Sequence, residues 1–344
     1  MKIAQIMLTK GFGGAERAFV DACLGLAQAG NEILAIIHPD FIKRETLRQH
    51  GIRIFPLRFF ATRDPWARSA LARTLEDFRP DVVHVHLRRG MELAAGRIKK
   101  MGLPLVATLH NYNGMKKYIG ADRLIALTED HKTAILAVVP TLAGRVDVIA
   151  NFSRFAPHAA AIPDSGPLKL LAYGRFVRKK GFDLLLEAFS KARAAAPELA
   201  LTLAGDGEER SNLETLIKRL GLGSACELRG WTDRVESLLD EHDVFVLPSR
   251  SEPFGIVVLE AMARGKAIIS SRSEGPSQFL DESISLLFDV GDADQLASKM
   301  IFAYAHRRLM QKLADQALAR YRDNYHVDRV IPRILATYRK AMAN

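Results

Sequence analysis

Between Val244 and Ser271 the chain passes from one apolar run, Val244–Leu247, to another, Ala267–Ser271. Neither run alternates with polar residues, so each reads as a strand buried on both faces. Pro248 to Pro253 breaks regular structure, Phe254 to Arg264 has helical spacing, and Gly265 stops it. Two such strands joined by a helix are parallel, and the crossover is right-handed. This one stretch therefore commits its part of the chain to an α/β sheet covered by helices.

The same alternation runs through the rest of the sequence. Lys2–Leu8, Glu32–His38, Asp81–Leu87, Leu103–His110, Ala121–Thr128 and Val146–Ala150 read as strands of a first sheet. Leu168–Tyr173, Ala200–Ala204, Cys226–Leu228, Val244–Leu247, Ala267–Ser271 and Ser285–Phe288 read as a second. A chain of 344 residues is too long for one core, which gives two domains. Residues 151–166 (NFSRFAPHAAAIPDSG) hold turn residues without periodicity. We expect a first domain over 1–152, a linker over 153–166 and a second domain over 167–326. Val327–Met342 is amphipathic, with Pro332 expected in its first turn or at a kink.

The 48% hydrophobic content is that of a soluble globular protein, and no apolar run reaches a membrane span. Cys23 and Cys226 lie in opposite halves. They read as reduced thiols in a cytoplasm and exclude a disulfide framework. Met1–Leu8 is too short for a signal peptide. The net charge of +10 divides unevenly: residues 1–150 carry 22 Lys+Arg against 14 Asp+Glu (+8), leaving 27 against 25 (+2). The positive field of the first half implies an anionic partner.

Within that half, residues 41–73 interleave Lys43, Arg44, Arg53, Arg58, Arg63 and Arg68 with Phe55, Phe59, Phe60 and Trp66. The pattern suits a segment lying on an anionic membrane, and equally an amphipathic helix with a solvated face. No nucleic-acid-binding module accompanies it, so nucleic acid is not expected.

His84 and His86 share one face of their strand and read as satisfied histidines, with no third metal ligand at sensible spacing. His110 stands at a strand's carboxyl end, where ligands of open α/β sheets collect, with Asn111 beside it. Asp292-Ala-Asp294 reads as a helix N-cap in preference to a metal site. No metal site is expected. Thr9–Glu16 (TKGFGGAE) does not complete a dinucleotide-binding glycine pattern.

Glu252 and Glu260, embedded in S-E-P-F-G-I-V-V-L-E-A-M-A-R-G, resemble the E-x7-E signature of retaining glycosyltransferases of family 4. The family's G-R-x-x-x-x-K-G is met by Gly174, Arg175, Lys180 and Gly181, and Leu203–Gly207 (LAGDG) resembles its G-D-G loop. Two departures stand out. The family's N-G-V-D-x-x-x-F survives only as Asn151 and Phe155, and Gln278 stands where glutamate is frequent.

The resemblance implies the GT-B fold, two Rossmann-like doubly wound domains facing a central cleft, with the last helix, 327–344, returning to the first domain. It implies transfer of a sugar, with retention and without metal, from a UDP- or GDP-sugar to a saccharide or lipid-linked acceptor. Lipopolysaccharide or another cell-surface glycan would be the product. The nucleotide sugar is a substrate, so no cofactor is expected.

By resemblance, Gly174, Arg175, Lys180, Gly205, Glu260 and the amides of Phe254, Gly255, Ile256 and Val257 would bind the donor. Glu252 and His110 would serve the transferred sugar, and Gly13, Gly14 and Glu16 would line the cleft near acceptor and donor phosphate. Arg175, Lys180 and the helix N-terminus would stabilise charge on the departing diphosphate. The expected location is the cytoplasm, with attachment to the inner face of the membrane as a further option. Two alternatives remain: a nucleotide-sugar 2-epimerase on the same fold, and a non-catalytic module binding anionic membranes through residues 41–73.

Overall fold

A computed structural model describes residues 1–11 and 13–343. These form two compact units: Met1–Arg154 together with the helix that begins at Val327, and Phe155–His326.

In the first unit the chain runs β1 (Lys2–Met7), α1 (Gly14–Gln28), β2 (Glu32–Ile37), α2 (Arg44–Gln49), β3 (Arg53–Pro56), α3 (Pro65–Phe78), β4 (Val82–His86) and α4 (Leu87–Lys100). It continues through β5 (Leu105–Thr108), β6 (Arg123–Ala126), α5 (Glu129–Val138) and β7 (Val146–Val148). The sheet order is β3-β2-β1-β4-β5-β6-β7, and each pair is parallel. Strand order reverses between β1 and β4, where Gln5 lies opposite His84 and Met7 opposite His86. Alternate residues of β1 enter opposite cores: Ala4 and Ile6 on one face, Ile3 and Met7 on the other. This is what unbroken apolar strands require.

The second unit runs β8 (Leu168–Tyr173), α6 (Phe182–Ala195), β9 (Leu199–Ala204), α7 (Arg210–Arg219), β10 (Cys226–Arg229), α8 (Val235–Asp240) and β11 (Val244–Leu247). It then adds α9 (Ile256–Ala263), β12 (Ala267–Ser271), β13 (Leu286–Phe288), α10 (Ala293–Ala305) and α11 (Arg307–Asn324). Its parallel sheet has the order β10-β9-β8-β11-β12-β13, reversing between β8 and β11. Asp292 caps α10, its carboxylate accepting the Gln295 amide at 2.8 Å.

The final helix, α12 (Val327–Met342), packs Val330, Ile331, Ile334 and Tyr338 into the first unit's core. Thr337 and Lys340 bond Asp147 at 3.0 and 2.9 Å, beside the Arg123–Asp147 pair. Pro332 lies inside this helix, beyond its first turn.

Three local expectations are corrected. Residues 153–166 are not a free linker. Ser153 accepts the Val327 amide at 3.1 Å, whereas His158, Ala160, Ile162, Pro163 and Gly166 bond Ala263, Gln311 and Arg307 within the second unit. Irregular backbone that finds side-chain partners stays attached to the surface supplying them. Residues 41–73 are not one amphipathic helix: Gly51, at φ +73, ends α2, and a short strand intervenes before α3. Helix α9 begins at Ile256, after a left-handed Gly255. Among the described residues, no helix is long and apolar enough to cross a membrane.

Candidate functional site

In the second unit, loops at the carboxyl ends of β8, β9, β11 and β12 meet. Gly205 follows β9 at φ +147, and a Cβ there would stand 1.9 Å from the carbonyl oxygen of Gly174, which follows β8. Only glycine fits this crossing. Arg175 comes next; it is exposed, and its guanidinium has no ion-pair partner among the described residues. Lys180, at the end of a 3-10 turn, pairs with Glu252 in the loop after β11, and both side chains are largely buried. The Glu252 amide donates to Glu274 at 3.0 Å, and the Glu252 carbonyl accepts the Gly275 amide at 2.8 Å.

The same loops are fastened by Arg250. Its guanidinium bonds both Asp183 oxygens at 2.6 and 2.8 Å and the Arg178 carbonyl at 2.9 Å. Burial raises the Asp183 pKa, but the hydrogen bonds and charge of Arg250 outweigh it and leave the carboxyl below its ordinary value.

Gly255, at φ +92, turns the chain into α9. Gly255, Ile256 and Val257 therefore stand at the helix start, where backbone amides lack carbonyl partners and attract anions. Phe254 lies before the cap, 3% exposed, and stacks on Phe279 at 5.0 Å. Glu260 is 3% exposed on α9, and its Oε2 accepts the Tyr173 hydroxyl at 2.6 Å. Tyr173 thus answers the cost of a carboxylate among apolar neighbours.

The first unit brings together a different set. Gln5, His84, His86, Thr108, His110 and Tyr338 are all buried. Gln5 Nε2 donates to Tyr338 Oη at 2.8 Å, and Gln5 Oε1 accepts from His86 Nε2 at 2.8 Å. His86 Nδ1 faces His110 Nε2 at 3.0 Å. His84 meets Tyr338 at 2.7 Å and Thr108 at 2.8 Å. Every ring nitrogen of His84 and His86 is thereby engaged, as expected of satisfied histidines.

Burial holds His84 and His110 down at about 3, and His86 well below its ordinary value, so all three rings are neutral at pH 7. Tautomers follow from the partners. An amide oxygen only accepts, so His86 carries its proton on Nε2 and accepts at Nδ1. His110 then donates from Nε2, leaving Nδ1 as a buried lone pair with no hydrogen-bond partner among the described residues. That atom is ready to accept a hydrogen bond from a hydroxyl. Leu87, directly after His86, is held at φ +66, a strained conformation for leucine.

Of the remaining expected residues, Glu16 closes the α1 N-terminus, accepting the Gly13 amide at 3.0 Å, and Gly14 is the first residue of that helix. Phe12, between the loop's glycines, lies outside the described residues. Sequence reasoning missed Tyr173, Arg250, Asp183, Gln5 and Tyr338. Tyr173 had a usable signal, being the last residue of a strand and adjacent to Gly174. Gln5 and Tyr338 had none, since they are 333 positions apart.

Comparison with known proteins agrees with this architecture. Residues 156–320 match the family described as Glycosyl transferases group 1, and residues 12–152 match Glycosyltransferase Family 4. The lipopolysaccharide core biosynthesis glycosyltransferase LpsE of Rhizobium meliloti (strain 1021) is 32% identical over 88% of this chain and 89% of its own. LpsD of the same organism is 31% identical over 83% of each. The solved structure of Anabaena HepE in complex with UDP is 20% identical, with a TM-score of 0.86 over 98% of this chain and 99% of that one. The shared fold is GT-B. With both units matched and relatives aligned over most of their length, the chain belongs to the group 1 glycosyl transferases, glycosyltransferase family 4.

Proposed function

We propose that this glycosyltransferase moves a sugar from a nucleotide diphosphate donor, a UDP- or GDP-sugar, to a saccharide or lipid-linked acceptor in lipopolysaccharide or another cell-surface glycan. The observation that carries the reading is Arg175: an exposed guanidinium without an ion pair among the described residues, directly after Gly174 of the glycine crossing. A planar fork of donors at a strand's carboxyl end suits diphosphate oxygens. The names of the relatives support the direction: LpsE and LpsD act in lipopolysaccharide core biosynthesis, and HepE was solved with UDP.

Breaking the sugar–phosphate bond leaves negative charge on the diphosphate. Arg175, Lys180 and the start of α9 at Gly255–Val257 would stabilise it, without a metal or a cofactor. Lys180 would exchange part of its contact with Glu252 for phosphate, freeing Glu252 to hold sugar hydroxyls. Glu260, oriented by Tyr173, would receive the ribose. His110 would accept a hydroxyl of the transferred sugar at Nδ1, and Gly13, Gly14 and Glu16 would border the acceptor.

Retention is part of the same proposal. Glu252 and Glu260 face separate partners, Lys180 and Tyr173, and are not arranged as a carboxylate pair flanking one bond. Same-face attack fits this better than a covalent intermediate. The protein would act in the cytoplasm, peripherally on the inner face of the membrane, where a lipid-linked acceptor is presented.

The test is thermal stability with UDP, GDP, ADP and CMP, each with and without EDTA. Ligand at about 100 times its dissociation constant adds about 2.7 kcal/mol, a shift of a few degrees. A shift with one nucleotide that EDTA leaves unchanged supports a metal-free donor site. No shift with any of the four removes the reading.

A further inference from the structure

In the first unit, the loops after β1, β2 and β3 and the first turn of α4 enclose a cavity of about 520 Å³. Its charged and aromatic lining includes Lys10, His38, Asp40, Arg58, Phe60 and Arg89. Asp40 pairs with Lys10 at 3.2 Å, whereas Arg58 and Arg89 have no ion pair among the described residues. Arg89 lies 6.0 Å over the Phe59 ring, which packs edge-on against His38. His38 accepts the Asp40 amide at 3.0 Å. Burial and Lys10 hold His38 below its ordinary pKa; Asp40 opposes them, and Arg58 and Arg89 add to the lowering. At the same cavity Phe60 is 93% exposed.

Two guanidiniums that face one concavity without an ion pair among the described residues repel each other and attract an anion with several oxygens. A bare aromatic ring beside them offers its face to the C–H side of a sugar ring. A headgroup surface would not require a concave site, and a neutral sugar would not require the cations. The cavity also lies at the ligand end of this sheet, over β1–β3, with His86 ending the neighbouring β4 and His110 following β5.

We propose that this cavity binds a phosphate-bearing saccharide, the anionic portion of the acceptor. Arg58 and Arg89 hold the phosphate oxygens, and Phe60 covers a sugar face. The acceptor assignment rests on the proposed glycosyl transfer; the binding chemistry does not.

The experiment is calorimetric titration of the full chain at low ionic strength with three probes. They are glucose 6-phosphate, glucose, and phosphatidylcholine vesicles containing one-third phosphatidylglycerol. The proteins are the parent, R58A/R89A, R58K/R89K, R175A and, as a charge control, K99A/K100A at the exposed end of α4. Glucose 6-phosphate is expected to bind the parent where glucose does not. Binding should weaken at least tenfold in R58A/R89A and less in R58K/R89K, which keeps charge but not the fork. It should stay within twofold in R175A and K99A/K100A, with unchanged circular dichroism throughout.

Equal binding to R58A/R89A and the parent overturns the proposal, and so does an equal loss in K99A/K100A. Binding to vesicles without binding to glucose 6-phosphate overturns it in favour of a headgroup surface. The nucleotide shift is read separately: if UDP, GDP, ADP and CMP all fail while R58A/R89A still loses glucose 6-phosphate, only the donor reading falls.

Discussion

The two units share a parallel sheet with one reversal of strand order, yet handle polar groups at the strand ends in opposite ways. The second keeps charges. Lys180–Glu252 and Arg250–Asp183 are ion pairs that join the loop after β11 to the turn after β8 and to the first turn of α6. The first keeps charges in the loops after β1–β3 and at Arg89; around β4 and β5 it removes charge. Its Gln5–His84–His86–His110–Tyr338 cluster is neutral, buried and joined through side chains. The difference teaches what each end is built for. Loops with paired charges and an exposed Arg175 can exchange partners with an incoming anion, whereas a desolvated network fixes the tautomer and orientation of one ring nitrogen.

The sharpest way to break the comparison is Arg175→Ala. Loss of one preorganised charge donor should lower kcat/KM for the nucleotide sugar by about 10²–10³ and abolish the nucleotide thermal shift. Amide exchange in β4 and β5 should not change, because the first unit holds its polar groups independently.

Acid is the next test. His84 and His110 stay neutral in the fold down to pH about 3, against an ordinary value of 6.5. As pH falls below 6.5 the unfolded chain binds protons that the folded one refuses, so stability present above that value is lost on the way to 3. The slope approaches about 1.4 kcal/mol per pH unit for each histidine. Between pH 7 and 5, amide exchange should accelerate in β4 and β5 more than in β8 and β11; equal acceleration would erase the distinction.

Tyr338→Phe is the smallest effect. It strips the partner from Gln5 Nε2 and His84 Nδ1, and a stranded buried polar group costs about 1–3 kcal/mol. The urea midpoint should fall while the nucleotide shift is kept. A loss of stability matched by His84→Ala but not increased in the double variant would locate the cost in this pair.

How much of this was legible followed from sequence distance. The strands were readable because parallel sheets bury unbroken apolar runs, and the loops after β8, β9 and β11 because each motif is confined to a few adjacent residues. Asp292 was readable as a cap, since that interaction reaches only to Gln295. The histidine network was not, because Gln5 and His86 are 81 positions apart and meet only through strand register. Residues 41–73 misled for another reason. Their basic-aromatic pattern is real, but Phe55 and Phe59 pack partly buried against the core while Phe60 and Trp66 remain exposed, a sorting that only the α2–β3–α3 path decides.

The path of the chain also sets an order of assembly. Phe155–His326 is a continuous stretch, whereas the first unit is interrupted by it and receives α12 last. During synthesis the second unit can close as soon as its own residues have left the ribosome. The first must wait until Val327–Met342 has been made, because Tyr338 is what links Gln5 to His84. A nascent chain stalled before that helix would therefore carry a finished Phe155–His326 unit beside one whose Gln5 and His84 still lack their tyrosine.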